Sequence, residues 1–336
     1  MHFTLAKQEF DLTAQDVVDA VRGRVPETIR DHWVDVDGVR WPVKQALALA
    51  TGLEPTAFHS QTSRRVLADL GMTVGAESAE TAATQAVYGD GVRTFALPRG
   101  WVRARQEVLD RALAATLEAL AGDAATARLS SYYDPDSNYA GLLFSDADDN
   151  AEHTITAGDL WAVTTLSMKI EPRQARLVFD ATSKRAGALL HAIPHDTALS
   201  DLEHAPGGSA ATLERMDELQ GIFRTLLATD EKNSNHWVFA AKLCARKRPH
   251  LFPVRDNAVC RYLAGHALKT GGIGSFRVDI QVMAYLITHP AVLHELTRLR
   301  DEIEVPVDED LKLLDAALWT KAMWGATKAA AAQETP

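Results

Sequence analysis

Apolar residues return every three or four positions along most of this chain. Val17, Val18 and Val21 form one such set, Val108, Leu109, Leu113, Leu117 and Leu120 a second, and Leu160, Val163 and Leu166 a third. Trp237, Ala240, Ala241 and Cys244 form another. This spacing lays one apolar stripe along a helix and turns it to a core. It predicts helices over residues 14–24, 43–51, 60–70, 99–122, 156–167, 213–228, 278–288, 291–303 and 310–324, and one helix or a pair over 173–191. Strict alternation occurs once. Residues 33–42 interleave apolar and polar positions around Asp37 and Gly38, which predicts a β-hairpin.

The densest pattern spans residues 233–267. A helix from Trp237 carries Lys242 and Arg246 at i,i+4 and closes on Arg246, Lys247 and Arg248, charges that suit the negative end of a helix dipole. Pro249 stops it, and Leu251, Phe252 and Val254 plug the connection into a core around Pro253. Asp256 then caps a helix whose apolar face is Val259, Tyr262, Leu263 and Ala267. A carboxylate there is either a plain cap or a preorganised charge facing a cleft.

These elements sort into modules. Helix, hairpin, helix, turn and polar-basic helix over residues 1–75 make a small α+β, winged-helix-like N-terminal module, in which Gln61, Arg64 and Arg65 either face DNA or are the solvated side chains of a docking module. Residues 76–122 read as a linker and a bridging helix, 123–328 as a nearly all-helical domain, and 329–336 as a disordered tail. The fold class is therefore mostly α.

Composition narrows the function. No apolar run approaches the ~18 residues a membrane span needs. The start lacks the apolar core of a signal peptide, so a cytoplasmic protein is expected. Two cysteines, both on apolar faces, read as buried thiols. A net charge of −10 argues against coating nucleic acid through bulk charge. The charge is polarised, however. Residues 231–261 hold seven Lys and Arg against two acids, whereas residues 130–160 hold seven acids and no Lys or Arg. Either one face meets a polyanion or the two segments pair within the molecule.

Residues 131–141, dense in Tyr, Asp and Asn, read either as a turn-rich structural loop with packed tyrosines or as a loop that lines a pocket. Asp134, Asp136 and Asn138 open like a calcium loop, but Tyr139 and Ser145 stand where that loop needs Gly and Glu. The spacing of His191, His195 and His204 fits no common metal motif. No metal or other cofactor is expected, and nothing in the sequence sets the oligomeric state.

The run Ala240-Ala-Lys-Leu, a basic turn, then Phe252-Pro-Val-Arg-Asp-Asn-Ala-Val259 resembles the core of helix-hairpin-helix (HhH-GPD) DNA glycosylases, which present a catalytic Asp at a helix start. The resemblance implies that Asp256 is that residue. It places Asn233, Ser234 and Asn235 at the DNA-binding hairpin, where glycosylases carry glycines and this chain has none. No lysine stands just after the hairpin, where bifunctional members carry their nucleophile; Trp237 does. A monofunctional enzyme is therefore expected. Residues 37–72 resemble a small head module of actinobacterial proteins. The combination YYDPDSNYAG, AAKLCARKRPHLFPVRD and LLDAALW resembles a little-characterised actinobacterial family.

Two main readings follow, beside a small-molecule hydrolase or toxin using the same loop, for which the sequence has no nucleophile–base motif. In the first the chain is a monofunctional glycosylase acting on double-stranded DNA in repair or defence. A flipped base would rest against Tyr132, Tyr133, Asp134, Asn138, Tyr139 and Trp237, and Lys242, Arg246, Lys247, Arg248 and Arg255 would hold phosphates. In the second it is a non-catalytic DNA- or partner-binding protein on the same scaffold. Whether Asp256 lines an open cavity separates them.

Overall fold

The structure, a computed structural model, describes residues 2–5, 8–27, 29, 32–76, 84–180, 183–227, 236–268 and 271–333, apart from the side chains at 76, 180, 183, 225–227 and 325–333. It forms two units, Met1–Ala82 and Ala83–Pro336. The chain is mostly helical, with a small sheet region near the N-terminus.

In the first unit β1 (His2–Leu5) and β2 (Gln8–Asp11) pair antiparallel, Phe3 opposite Phe10. The pattern-based reading had no strands here, because four-residue strands are too short to display alternation. α1 (Ala14–Val21) opens on a capping box between Thr13 and Asp16. β3 (His32–Val36) and β4 (Val39–Pro42) form the expected hairpin, with Asp37 and Gly38 at φ 52° and 80°, the left-handed pair that a tight hairpin turn requires. α2 (Val43–Thr51) ends on Gly52, and α3 (Ser60–Asp69) leads to β5 (Val74–Ala76), which pairs with β3. Val17, Val34, Trp41 and Leu67 fill the core between sheet and helices.

The second unit begins earlier than expected. Residues 84–98 are a packed corner rather than a linker: β6 (Gln85–Val87) and β7 (Thr94–Ala96) form a hairpin. Tyr88 is buried there and its hydroxyl accepts from Leu202 N at 2.7 Å. A side chain at Gly89 would collide with the backbone of Tyr285, and Gly89 N donates to Thr288 Oγ1 at 2.8 Å. α4 (Gln106–Leu120), expected to bridge two modules, packs within this unit's core.

The remaining helices are α5 (Gly122–Tyr133), α6 (Ala157–Thr165), α7 (Pro172–Asp180), α8 (Ser183–Ala192), α9 (Ser209–Leu227), α10 (Trp237–Lys247), α11 (Asn257–Ala264), α12 (Phe276–Ile287), α13 (Pro290–Glu302) and α14 (Asp310–Gln333). The expected disordered tail is thus helical through Gln333; residues 334–336 lie outside the described ones. α10 is central: every residue but Val238 is buried. Cys244 and Cys260 are free and buried.

Candidate functional site

Three separate stretches, together with the end of α6 at Thr165, Leu166 and Ser167, meet at one cavity of about 70 Å³, which has room for a handful of water molecules. The end of α5 and the loop after it bring Tyr132, Asn138 and Tyr139; α10 and the start of α11 bring Lys242 and Asp256; α14 brings Lys312, Asp315 and Trp319. All three stretches stand out in the sequence, but their meeting point does not. Tyr132, Tyr139 and Trp319 make a ring-lined wall, with centroids 6.0 to 6.1 Å apart.

Asp256 is the N-cap of α11, and its carboxylate accepts from Val259 N at 2.8 Å. That bond fixes one oxygen and leaves the group at the cavity wall, half-buried. The segment before it is clamped by α14. Lys312 Nζ donates to Phe252 O and to Asp315 Oδ2, both at 2.8 Å, and Val254 N donates to the same Asp315 oxygen at 2.7 Å. Burial pushes the Asp315 carboxyl up to about 6 against the pull of Lys312. Its other oxygen is buried without a partner among the described residues.

Lys242 was expected to hold a phosphate and instead forms part of the cavity wall. It is 6% exposed, and its ammonium donates to Leu166 O at 2.7 Å. Burial pulls it below the ordinary lysine range, opposed by the negative charge of Asp256. Ser167 adopts a left-handed φ of 61° just beyond that carbonyl, a conformation uncommon outside glycine and found here at the cavity edge. Asp308 also lines the cavity and accepts from the hydroxyls of Ser145 at 2.6 Å and Tyr133 at 3.1 Å. Burial raises its carboxyl.

Other expected site residues lie elsewhere. Tyr133 is buried behind the wall, on Asp308. Asp134 is exposed and accepts from Asp136 N at 2.9 Å in a turn. Trp237 is buried beneath the Arg255 guanidinium, 5.0 Å from its ring, and is absent from the cavity wall. Asn233, Ser234 and Asn235 lie outside the described residues.

The basic cluster is the largest correction. Arg246, Lys247, Arg248 and Arg255 are all buried, so none is a phosphate contact. Arg246 donates to Phe144 O at 3.2 Å, to Ser145 O and to Asp148 Oδ1 at 2.5 Å. Lys247 reaches Asn150 Oδ1 at 2.8 Å, Ala151 O at 2.6 Å and Asp159 Oδ2 at 3.0 Å. Arg248 serves the carbonyls of Ile193 at 2.7 Å, Glu152 at 2.9 Å and Leu190. Arg255 pairs with Asp279 at 2.8 Å. The acidic segment is therefore the internal partner of the basic one. The irregular loop before α6 is largely exposed, but its inner carbonyls have no ladder partners, and buried cations at the end of α10 supply the donors. Gln61, Arg64 and Arg65 on α3 are exposed, as expected.

Lys312, Asp308, Asp315 and Trp319 were missed as site residues. The available signal was Asp315, an acid inside the apolar run LLDAALW.

Residues 125–322 match the model of a family of unknown function (DUF6308). The chain belongs to that family. The cavity residues from Tyr132 to Trp319 all fall inside the matched span. Residues 1–93 match the model named SCO5918-like. No curated protein and no solved structure matches the chain. Among the described residues no helix is long and apolar enough to cross a membrane.

Proposed function

We propose that this protein is a monofunctional DNA glycosylase. An extruded base stacks against Tyr132, Tyr139 and Trp319, and Asp256 stabilises the positive charge that develops on the sugar as the bond to the base breaks. The C1′–N bond electrons leave with the base, a water oxygen bonds to C1′, and that water's proton passes to solvent through the carboxylate. One observation carries the reading: the Asp256 carboxylate lines the same cavity as the ring-bearing loop. A nucleotide is larger than the space found, so Tyr139, 38% exposed at the cavity edge, swings outward on binding. On this reading the first unit is winged-helix-like and supplies DNA contacts from Gln61, Arg64 and Arg65. α10 and α11 correspond to part of a helix-hairpin-helix core, and the protein works in the cytoplasm.

The test is a panel of duplexes with modified and unmodified bases, scored for abasic sites. Wild type releases a base from at least one member; Asp256→Asn releases none and still binds. Release that survives Asp256→Asn removes this role from Asp256. A second reading, a non-catalytic DNA- or partner-binding protein on a glycosylase-like scaffold, is favoured by the inward-turned basic cluster. Binding without release from any duplex selects it.

A further inference from the structure

Lys242 has capacity that its surroundings do not use. An ammonium carries three donors. Among the described residues Lys242 meets one acceptor, Leu166 O, and both residues line the cavity. It is 6% exposed, so solvent does little for the remaining donors. The lysine also shares the cavity with Asp256, close enough for that charge to act on it. The rings of Tyr132, Tyr139 and Trp319 bound the same space.

We propose that Lys242 is the general acid of the base-release reaction, donating a proton from Nζ to a ring nitrogen or carbonyl oxygen of the departing base. This rests on the reading of the cavity as a glycosylase site. Asp256 and Lys242 then divide the work by charge. The carboxylate stabilises the sugar side of the breaking bond, where positive charge grows. The ammonium neutralises the base side, where the electron pair arrives. The Nζ–H bond breaks, a new N–H or O–H bond forms on the base, and solvent returns a proton to the amine after the base leaves. Burial of Lys242 suits this role, since a proton donor works best when its affinity for the proton has been lowered toward the working pH.

An acid is distinguished from a structural lysine by how its loss depends on the leaving group. Two duplexes are compared. One carries a neutral base that the wild type releases. The other carries N7-methylguanine, whose positive charge lets it depart without protonation. Lys242→Met is expected to slow release of the neutral base by about a hundredfold or more while changing release of the cationic base little. In the wild type, release of the neutral base falls as pH rises past a value below the ordinary lysine range, and release of the cationic base does not. That profile tests the role even if the variant fails to fold. Equal loss on both duplexes, or a flat profile for both, overturns the acid role and leaves the glycosylase reading standing. A covalent adduct between Lys242 and DNA on borohydride treatment also overturns it, because the amine is then a nucleophile. No release from any duplex overturns both proposals.

Discussion

Asp315 bears the clearest electrostatic strain in the cavity wall. It accepts from Lys312 and Val254 through one oxygen and leaves the other buried and unpartnered among the described residues. Its folded value of about 6 lies above the ordinary 3.8, so the native state holds the proton more tightly than the unfolded chain. The stability this contributes is complete below the unfolded value and is lost as pH rises through about 6. Asn at this position keeps an acceptor for Lys312 and does not titrate. Asp315→Asn should therefore gain on wild type between about pH 4 and 7, by at most roughly 3 kcal/mol. Urea unfolding at several pH values measures the difference, and a pH-independent gap would show that Asp315 does not titrate in that window.

The end of α10 shows what sequence patterns reveal about an element and what they hide. Its helical span, its basic finish, the stop at Pro249 and the Asp256 cap are local, and local spacing exposes them. So are the Thr156–Asp159 capping box of α6 and the Gly52 end of α2. The destination of the cations is not local: Arg248 finds its carbonyls on α8, on the residue that follows it and on the loop before α6. Without that knowledge a basic run reads as a surface. The same blindness made Tyr132 and Tyr133 a loop, though they close α5, and made the β6–β7 hairpin a linker, since three-residue strands carry no readable period. The corrected role is measurable. Arg248→Ala should cost about 3–5 kcal/mol in urea unfolding, because buried carbonyls lose their donors together. Arg248→Lys should recover little of it, lacking the planar fork that serves several acceptors at once. A phosphate contact behaves in the opposite way, with stability intact and DNA affinity reduced; that result would return Arg248 to the surface.

At the scale of the molecule, the question is where DNA could be held at all. The chain carries −10, and Lys242, Arg246, Lys247, Arg248 and Arg255, the five cations that the sequence offers to phosphates in the second unit, are all buried. Bulk attraction is therefore unfavourable, and any DNA affinity must come from a few exposed cations on a local patch. α3 in the first unit offers one: Gln61, Arg64 and Arg65 are exposed, and their side chains have no hydrogen-bonded or ionic partner among the described residues. Their face of the helix is opposite Ser63, Val66 and Leu67, which pack inward, so replacing them disturbs no core. If Arg64 and Arg65 each neutralise one phosphate, the Arg64→Ala, Arg65→Ala double variant should flatten the slope of log affinity against log salt by roughly 2. Its thermal unfolding should match wild type, because the replaced side chains are exposed, and base release at saturating DNA should match too, because Asp256 lies in the second unit. An unchanged salt slope in the double variant would mean that α3 is merely a solvated face, and that duplex DNA is held, if at all, by a surface not yet identified among the described residues.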